Sequence, residues 1–503
     1  MTRLGFLLDS ESCIGCHACT VACKSEHDIP LGVNRTWVKY IERGDFPDTS
    51  RNFSVMRCNH CDDAPCIKIC PTNALFRADN GVVDFDDGNC IGCKSCMNAC
   101  PYDAIYINPD TQTAHKCNFC NHRVEVGLEP SCVIVCPTQA IKVVDLDDPG
   151  DPNTALIAAS KLPVRTPEQG TLPKVHYRGA DPAALDPTLS AIARDGMIWA
   201  DRTADHVSVP PDDEGVVART TYTTAHHHTW DRMVSGYMVT KAIAAGVMMI
   251  AALLVVLGHA DSQAAVGVMA PLVAGVFLAA TGAMLVGDLK QPGRFYFLLT
   301  RSNTDSWLVR GAWILGAFAA ICAAWFLAGA FDAGSVVAVL ALPATLLGAA
   351  TAGYTAFLFA QCEGRDLWQT PWLLPALLLR AAIAGASAFA VADLVFDVPS
   401  PRAVSWTMLA ALVGLAAVTV VEVRSHPSRH VELAVEAMTS GEHARWFWIG
   451  AIAGIAVPTV VVAAALVADT GAALPAAAGA LALAGMFCSE TAFVRAGQSV
   501  PLS

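Results

Sequence analysis

Sixteen of the nineteen cysteines fall within the first 136 residues, in four groups of four. They are Cys13, Cys16, Cys19 and Cys23; Cys58, Cys61, Cys66 and Cys70; Cys90, Cys93, Cys96 and Cys100; and Cys117, Cys120, Cys132 and Cys136. The first and third groups follow the spacing C-x2-C-x2-C-x3-C, in which three thiolates on a tight loop wrap one cuboidal iron–sulfur cluster and the fourth points to a neighbouring cluster. The other two groups are stretched versions of that run. Pro71, Pro101 and Pro137 each follow the last cysteine of a group, where proline turns the backbone sharply and leaves no N–H unpaired. Sixteen thiolates make four [4Fe–4S] sites with none left over. Disulfides would call for a secretory signal, and MTRLGFLLDSESC has no apolar signal core. Zinc ribbons use paired cysteines, whereas three thiolates in one short loop are too many for a tetrahedral ion.

The loops that carry these thiols need a scaffold, and the chain supplies it in three parts. Residues 1–145 alternate cysteine loops with β-prone pieces such as 81–85 and 104–107, the rhythm of a two-cluster ferredoxin used twice. Residues 146–229 are rich in Pro, Asp and Thr with little periodicity, and read as an irregular connector. The run His226, His227, His228 within it reads as a solvated stretch facing lipid headgroups, with a metal site as the alternative. Residues 230–503 are a succession of Ala, Val, Leu and Gly runs that raise the mean hydropathy to +0.43. Eight of them, roughly 236–258, 264–286, 307–329, 335–360, 371–394, 403–422, 446–468 and 473–494, match the ~20 residues a helix needs to cross a bilayer. The expected fold is an α+β double ferredoxin-like head followed by an all-α bundle of eight transmembrane helices.

Charge and histidine placement narrow the chemistry further. The net charge of −12 argues against nucleic acid as a partner. Eleven Lys and Arg residues, from Arg232 to Arg495, sit on the head side of the bundle, and only Arg402 on the other. That bias predicts a multi-pass protein of the cell membrane with its head on the cytoplasmic side. Export of the head with a twin-arginine-targeted partner is the alternative. A membrane haem needs axial ligands inside the helices, and no span carries a histidine at depth. Electrons must then pass directly between a cluster and a lipid-soluble carrier, a requirement that quinone fits. Ionisable residues within or beside spans are functional candidates by default: Lys241, Asp288, Arg294, Arg310, Tyr354, Arg380, Glu422 and Glu490, all near the head side. Glu422 and Glu490 suit a proton route or a wet span end. Cys322, Cys362 and Cys488 read as small buried apolar residues.

Two resemblances add to this reading. Arg57-Cys58-Asn59-His60-Cys61 through Cys70-Pro71, and Lys116-Cys117-Asn118-Phe119-Cys120 through Cys136-Pro137, resemble the four-cluster subunit of dimethyl sulfoxide reductase, polysulfide reductase and formate dehydrogenase complexes. In that family the first group pairs with the fourth and the second with the third. The implied ligand sets are Cys13, Cys16, Cys19 and Cys136; Cys23, Cys117, Cys120 and Cys132; Cys70, Cys90, Cys93 and Cys96; and Cys58, Cys61, Cys66 and Cys100. The membrane part resembles the NrfD-type membrane subunit of polysulfide reductase. The pieces that carry the likeness are Asp288-Leu-Lys-Gln-Pro-Gly-Arg294-Phe, Tyr354-Thr-Ala-Phe-Leu, Leu367-Trp368-Gln-Thr-Pro-Trp, Gly441-Glu-His-Ala-Arg-Trp-Phe-Trp448 and Phe493-Val-Arg495-Ala-Gly-Gln498. That likeness implies a pocket for menaquinone or ubiquinone at the head-side ends of the first four spans, with Tyr354, Asp288, Arg294 and Lys241 as its candidate residues. The sequence shows no pterin- or substrate-binding module, so a separate large molybdopterin-type catalytic subunit is expected, docked near Cys13 to Cys19; with the head cytoplasmic, its favoured chemistry is formate or sulfite oxidation. Reduction of a polysulfide or sulfoxide, membership of an ion-translocating complex and a bare anchoring scaffold are the rival readings.

Overall fold

The run Leu4–Asp9 is almost continuously apolar, the signature of a strand covered on both faces. In the computed structural model it is the centre of a three-stranded sheet, antiparallel to Ile141–Asp145 and parallel to Val175–Arg178. Phe6, set opposite both Val143 and Val175, is fully buried and stacks on Phe119 with ring centroids 4.1 Å apart. The structure describes residues 2–44, 47–192, 202–203, 206–207, 218–224 and 229–503. The histidine run 226–228 and the Pro/Asp stretch 209–214 lie outside them.

A second sheet places Ala218–Tyr222 between Ala191–Ile192 and Thr36–Arg43, with Ser50–Arg57 beyond. Two short hairpins, Leu75–Arg77 with Val83–Phe85 and Ile105–Ile107 with Ala114–Lys116, each follow a Cys-Pro turn.

The connector differs from its expectation as an irregular segment. Val175–Arg178 and Ala218–Tyr222 are strands of the two head sheets, and Asp151, Asp181 and Asp186 cap short helical turns. The reason is local: capping aspartates and helix-opening prolines look like loop chemistry in sequence, while strands of four and five residues give too few alternations to stand out. Arg165, also in this segment, is fully buried and donates from Nη2 to the Leu502 carbonyl at 2.6 Å, tying the connector to the C-terminus.

Among the described residues eight helices are long and apolar enough to cross a membrane: Arg232–Val256, Gln263–Gly287, Trp307–Ala330, Gly334–Ala360, Leu373–Ala392, Pro401–Arg424, Ala444–Ala468 and Ala473–Ser499. The first and last run furthest past the expected limits, both at the head side, because the head supplies partners there. Arg495 pairs with Asp231 at 2.6 Å, and Gln498 Oε1 accepts from the backbone of Thr229 and Trp230. The first span is the axis of the bundle, with residues such as Ala244, Val247, Met248 and Ala251 wholly buried. At its crossing with the fifth span Gly246 lies against the Ala381 carbonyl and Gly385 against Gly246, so neither position has room for a Cβ. This contact brings the polar residues one to two turns nearer the head, Lys241 and Arg380, toward one another.

Candidate redox site

The cysteine loops are built from tight turns that send sulfurs inward. His17, Lys94 and Cys120 adopt left-handed backbone conformations just where a short helix begins, which reverses the backbone between consecutive thiols. All nineteen cysteines are free thiols. Cys13, Cys16, Cys19 and Cys136 line one cavity, Cys23, Cys117, Cys120 and Cys132 another, and Cys70, Cys90, Cys93 and Cys96 a third. Cys66 lies within electrostatic reach of Cys100, Cys58 and Cys61, which completes a fourth set. These groupings coincide with the four sets that the resemblance to the four-cluster subunit implies.

The surroundings fit an iron–sulfur cluster in each set. Backbone N–H groups point at sulfur from His60 to Cys58 (3.5 Å), from Gly92 and Ala114 to Cys90 (3.4 Å each) and from Ala140 to Cys136 (3.2 Å), bonds of the kind that tune a cluster. Burial pushes the Cys61 and Cys117 thiols up to about 12, a cost to the thiolate that the positive charge of bound iron would offset. Further positive charge is built in. Arg57 is fully buried, sits 4.3 Å from the Phe6 ring and donates to Cys132 Sγ at 3.4 Å, while buried Lys116 donates to the Val83 and Cys117 carbonyls.

The four sets are arranged in series. Cys19 of the first lies beside Cys132 of the second, Cys117 of the second beside Cys58, and Cys66 of that set beside Cys96. The outer end is open to solvent at Cys16, with Ile14 and Val21 also exposed. The inner end, at Cys93, meets the membrane part: Cys362, taken from sequence as an apolar filler, is buried beside it. Trp230 Nε1 donates to the Cys93 carbonyl at 3.3 Å, and Trp230, Phe359 and Trp368 stack behind it with centroids 4.8 to 5.6 Å apart.

The candidate quinone residues divide into two groups. Lys241 and Tyr354 are buried together, with the Lys241 Nζ 4.4 Å from the Tyr354 ring centroid and bonded to the Thr355 hydroxyl. Gly311 gives the Tyr354 ring its place, since a Cβ there would overlap it. Asp288 caps the head-side end of the second span, where Lys94 holds it at 2.8 Å; burial pushes its carboxyl up, and the ammonium opposes that. Arg294 is turned to the head, donating to the Asp87 and Cys90 carbonyls at 2.7 and 2.9 Å. Lys290 and Gln291 donate backbone N–H groups to Gly92 and Ile91, and Gly92 has no room for a side chain against Lys290. Sequence reasoning missed Tyr237, Lys94 and Trp230. Tyr237 was findable as the neighbour of Lys241 at i, i+4 on one helical face, with its ring 5.8 Å from the ammonium; Lys94 was not, because its partner is 194 residues away.

Residues 221–501 match the family described as "Polysulphide reductase, NrfD". The chain therefore belongs to the NrfD polysulphide reductase family. Ahead of the NrfD part, residues 50–146 match a "4Fe-4S dicluster domain", a match that begins after the Cys13 to Cys23 group. The head is 40% identical over 191 residues to a component of the tetrathionate reductase of Salmonella typhimurium, an alignment that covers 37% of this chain and 76% of that protein. It is 35% identical over 225 residues to the arsenate respiratory reductase iron-sulfur subunit ArrB of a Shewanella species (35% and 95%), and 40% identical over 179 residues to a component of the polysulfide reductase of Wolinella succinogenes (34% and 92%). This NrfD-family chain is thus a fusion of an iron–sulfur electron-transfer subunit with its multi-pass membrane anchor.

Proposed function

We propose that the chain carries electrons through four [4Fe–4S] clusters between membrane quinone and a separate molybdopterin-type catalytic subunit. The observation that carries this reading is the unbroken series of thiol sets from exposed Cys16 to Cys93, which ends against Trp230 at the face of the bundle that also buries Lys241 and Tyr354. When bound, each cluster supplies a one-electron carrier. Arg57 and Lys116 offset the negative charge of the thiolates, and the Trp230, Phe359 and Trp368 rings keep water out of the gap between head and bundle. Lys241 and Tyr354 offer hydrogen-bond donors to a quinone carbonyl; Asp288 caps the head-side end of the second span, and Arg294 holds the inner cysteine loop to the membrane. Ile14 and Val21, exposed around Cys16, suit the docking face of the catalytic subunit. In this reading residues 1–145 form the cluster domain, 146–229 a connector that adds strands to it, and 230–503 the membrane domain.

The names of the relatives support a reductase, with quinol giving electrons toward tetrathionate, polysulfide or a similar acceptor. A second reading, oxidation of formate or sulfite with electrons passing to quinone, is supported by the Lys and Arg bias that favours a cytoplasmic head. The test is a pair of cysteine variants in the full chain, starting from a parent expected to hold about sixteen irons. Cys93→Ser breaks the set nearest the membrane and is expected to abolish reduction of the remaining clusters by quinol. Cys13→Ser removes the outermost set and leaves that reduction intact. Equal behaviour of the two variants would refute the order.

A further inference from the structure

The bundle buries more charge than the quinone pocket needs. Arg380 on the fifth span and Glu490 on the eighth form an ion pair at 3.1 Å, with both side chains almost wholly removed from solvent. Lys241 of the first span, itself 1% exposed, feels Glu490 as its charged neighbour, and Glu422 of the sixth span lies within electrostatic reach of both Arg380 and Glu490. Four ionisable residues from four spans therefore form one connected group, with the Arg380–Glu490 pair at its centre. Within a membrane such a group is expensive to keep.

Two features separate this arrangement from a structural ion pair. Glu490 Oε2, Glu422 Oε1 and Arg380 Nε are buried without a partner among the described residues. A pair kept for packing would have its remaining lone pairs and protons satisfied by protein, whereas three unpartnered polar atoms on neighbouring charged side chains are the setting that holds internal water. The second feature is position. At ~1.5 Å per residue, Glu422 lies about 3 Å inside the head-side end of its helix, Arg380 about 10 Å, and Glu490 and Lys241 about 14 Å. The opposite half of the eight spans contains no Asp, Glu, Lys or His, and only Arg402 at the very start of the sixth.

We infer that Glu422, Arg380 and Glu490 form a hydrated proton path between head-side water and the quinone held at Lys241 and Tyr354. The inference rests on the quinone reading given above. Quinol oxidation breaks two O–H bonds; the two electrons leave through the cluster series and the two protons through Lys241, Glu490, Arg380-bound water and Glu422. Reduction of quinone runs the same exchange backwards, with two electrons and two protons making the two O–H bonds. Because both leave or enter on the head side, turnover on this chain moves no net charge across the membrane.

The full chain, loaded with its clusters and sealed into lipid vesicles with heads outward, tests this. A short-chain quinol is supplied as donor and impermeant ferricyanide outside as acceptor, with pH dyes on each side and a potential-sensitive dye in the membrane. Protons are expected in the outer solution, two per quinol, with no membrane potential and no acceleration by an uncoupler. Glu490→Gln is expected to slow turnover by about tenfold or more, in the range of a lost acid–base group, while reduction of the clusters by dithionite is unchanged. Glu422→Gln, at the wet edge of the bundle where folding is least at risk, is expected to slow it in the same way. A potential that builds during turnover, or parent-like rates in both variants, would overturn the path while leaving the quinone reading in place. A parent chain whose clusters quinol never reduces would overturn both.

Discussion

A single buried guanidinium shows how side chains set the electron-transfer properties of the head. Arg57 lies on the Phe6 ring and donates to Cys132 Sγ, so its charge favours the more negative, reduced state of the cluster that Cys132 would hold. Replacing it by methionine keeps much of the volume and removes the charge. With ~1.5–3 kcal/mol for a charge-assisted hydrogen bond, the potential of that one-electron cluster should fall by on the order of 100 mV, readable by a redox titration of its paramagnetic signal. Glu26 does a different job. It accepts from Ser131 Oγ at 2.5 Å, His122 Nε2 at 2.8 Å and Arg123 Nη1 at 3.1 Å, and these partners hold its carboxyl down to about 2, against the opposing effect of burial. A depressed carboxylate stabilises the fold above its ordinary range near 4.5 and loses that contribution as pH falls toward 2. The difference in melting temperature between the parent and Glu26→Gln should be full at about pH 6 and shrink steadily below about pH 4.5.

At the scale of the elements, the decisive contact is the crossing of the first and fifth spans, where Gly246 and Gly385 let two backbones touch. The close approach gathers Lys241, Arg380 and Glu490 into one polar centre. Gly246→Leu should force the helices apart; overpacking costs about 1–3 kcal/mol even where side chains can yield, and here the obstacle is the Ala381 carbonyl. The expected outcome is a lower melting temperature in detergent and loss of quinol oxidation, with the iron content of the head preserved. The same scale explains what could be read from the sequence. Eight spans were legible because ~20 apolar residues in a row have few other uses, and the cysteine loops because their spacing is set by the cluster. The strands at Val175–Arg178 and Ala218–Tyr222 were not, since each is short and pairs with a strand more than 160 residues earlier. Arg294 was legible as a residue of interest, but not its bonds to the Asp87 and Cys90 carbonyls, which exist only once the head is seated on the bundle.

On the scale of the whole molecule, fusion of the two parts fixes the inner thiol set to the membrane without relying on an equilibrium between subunits. The linkage is continuous. Trp230 reaches Cys93, Lys94 reaches Asp288, and Arg165 of the connector grips Leu502 at the far end of the chain. In the proposed reading electrons enter or leave at the solvent-exposed Cys16 end and at the membrane, through one connected series of clusters. Rapid mixing of the oxidised, cluster-loaded full chain with a short-chain quinol, in the absence of any catalytic subunit, tests this directly. The account predicts bleaching of the visible cluster absorption in the parent, and its loss in Lys241→Met with cluster content unchanged. A parent that stays oxidised in excess quinol, or one whose bleaching survives that substitution at full rate, would contradict it.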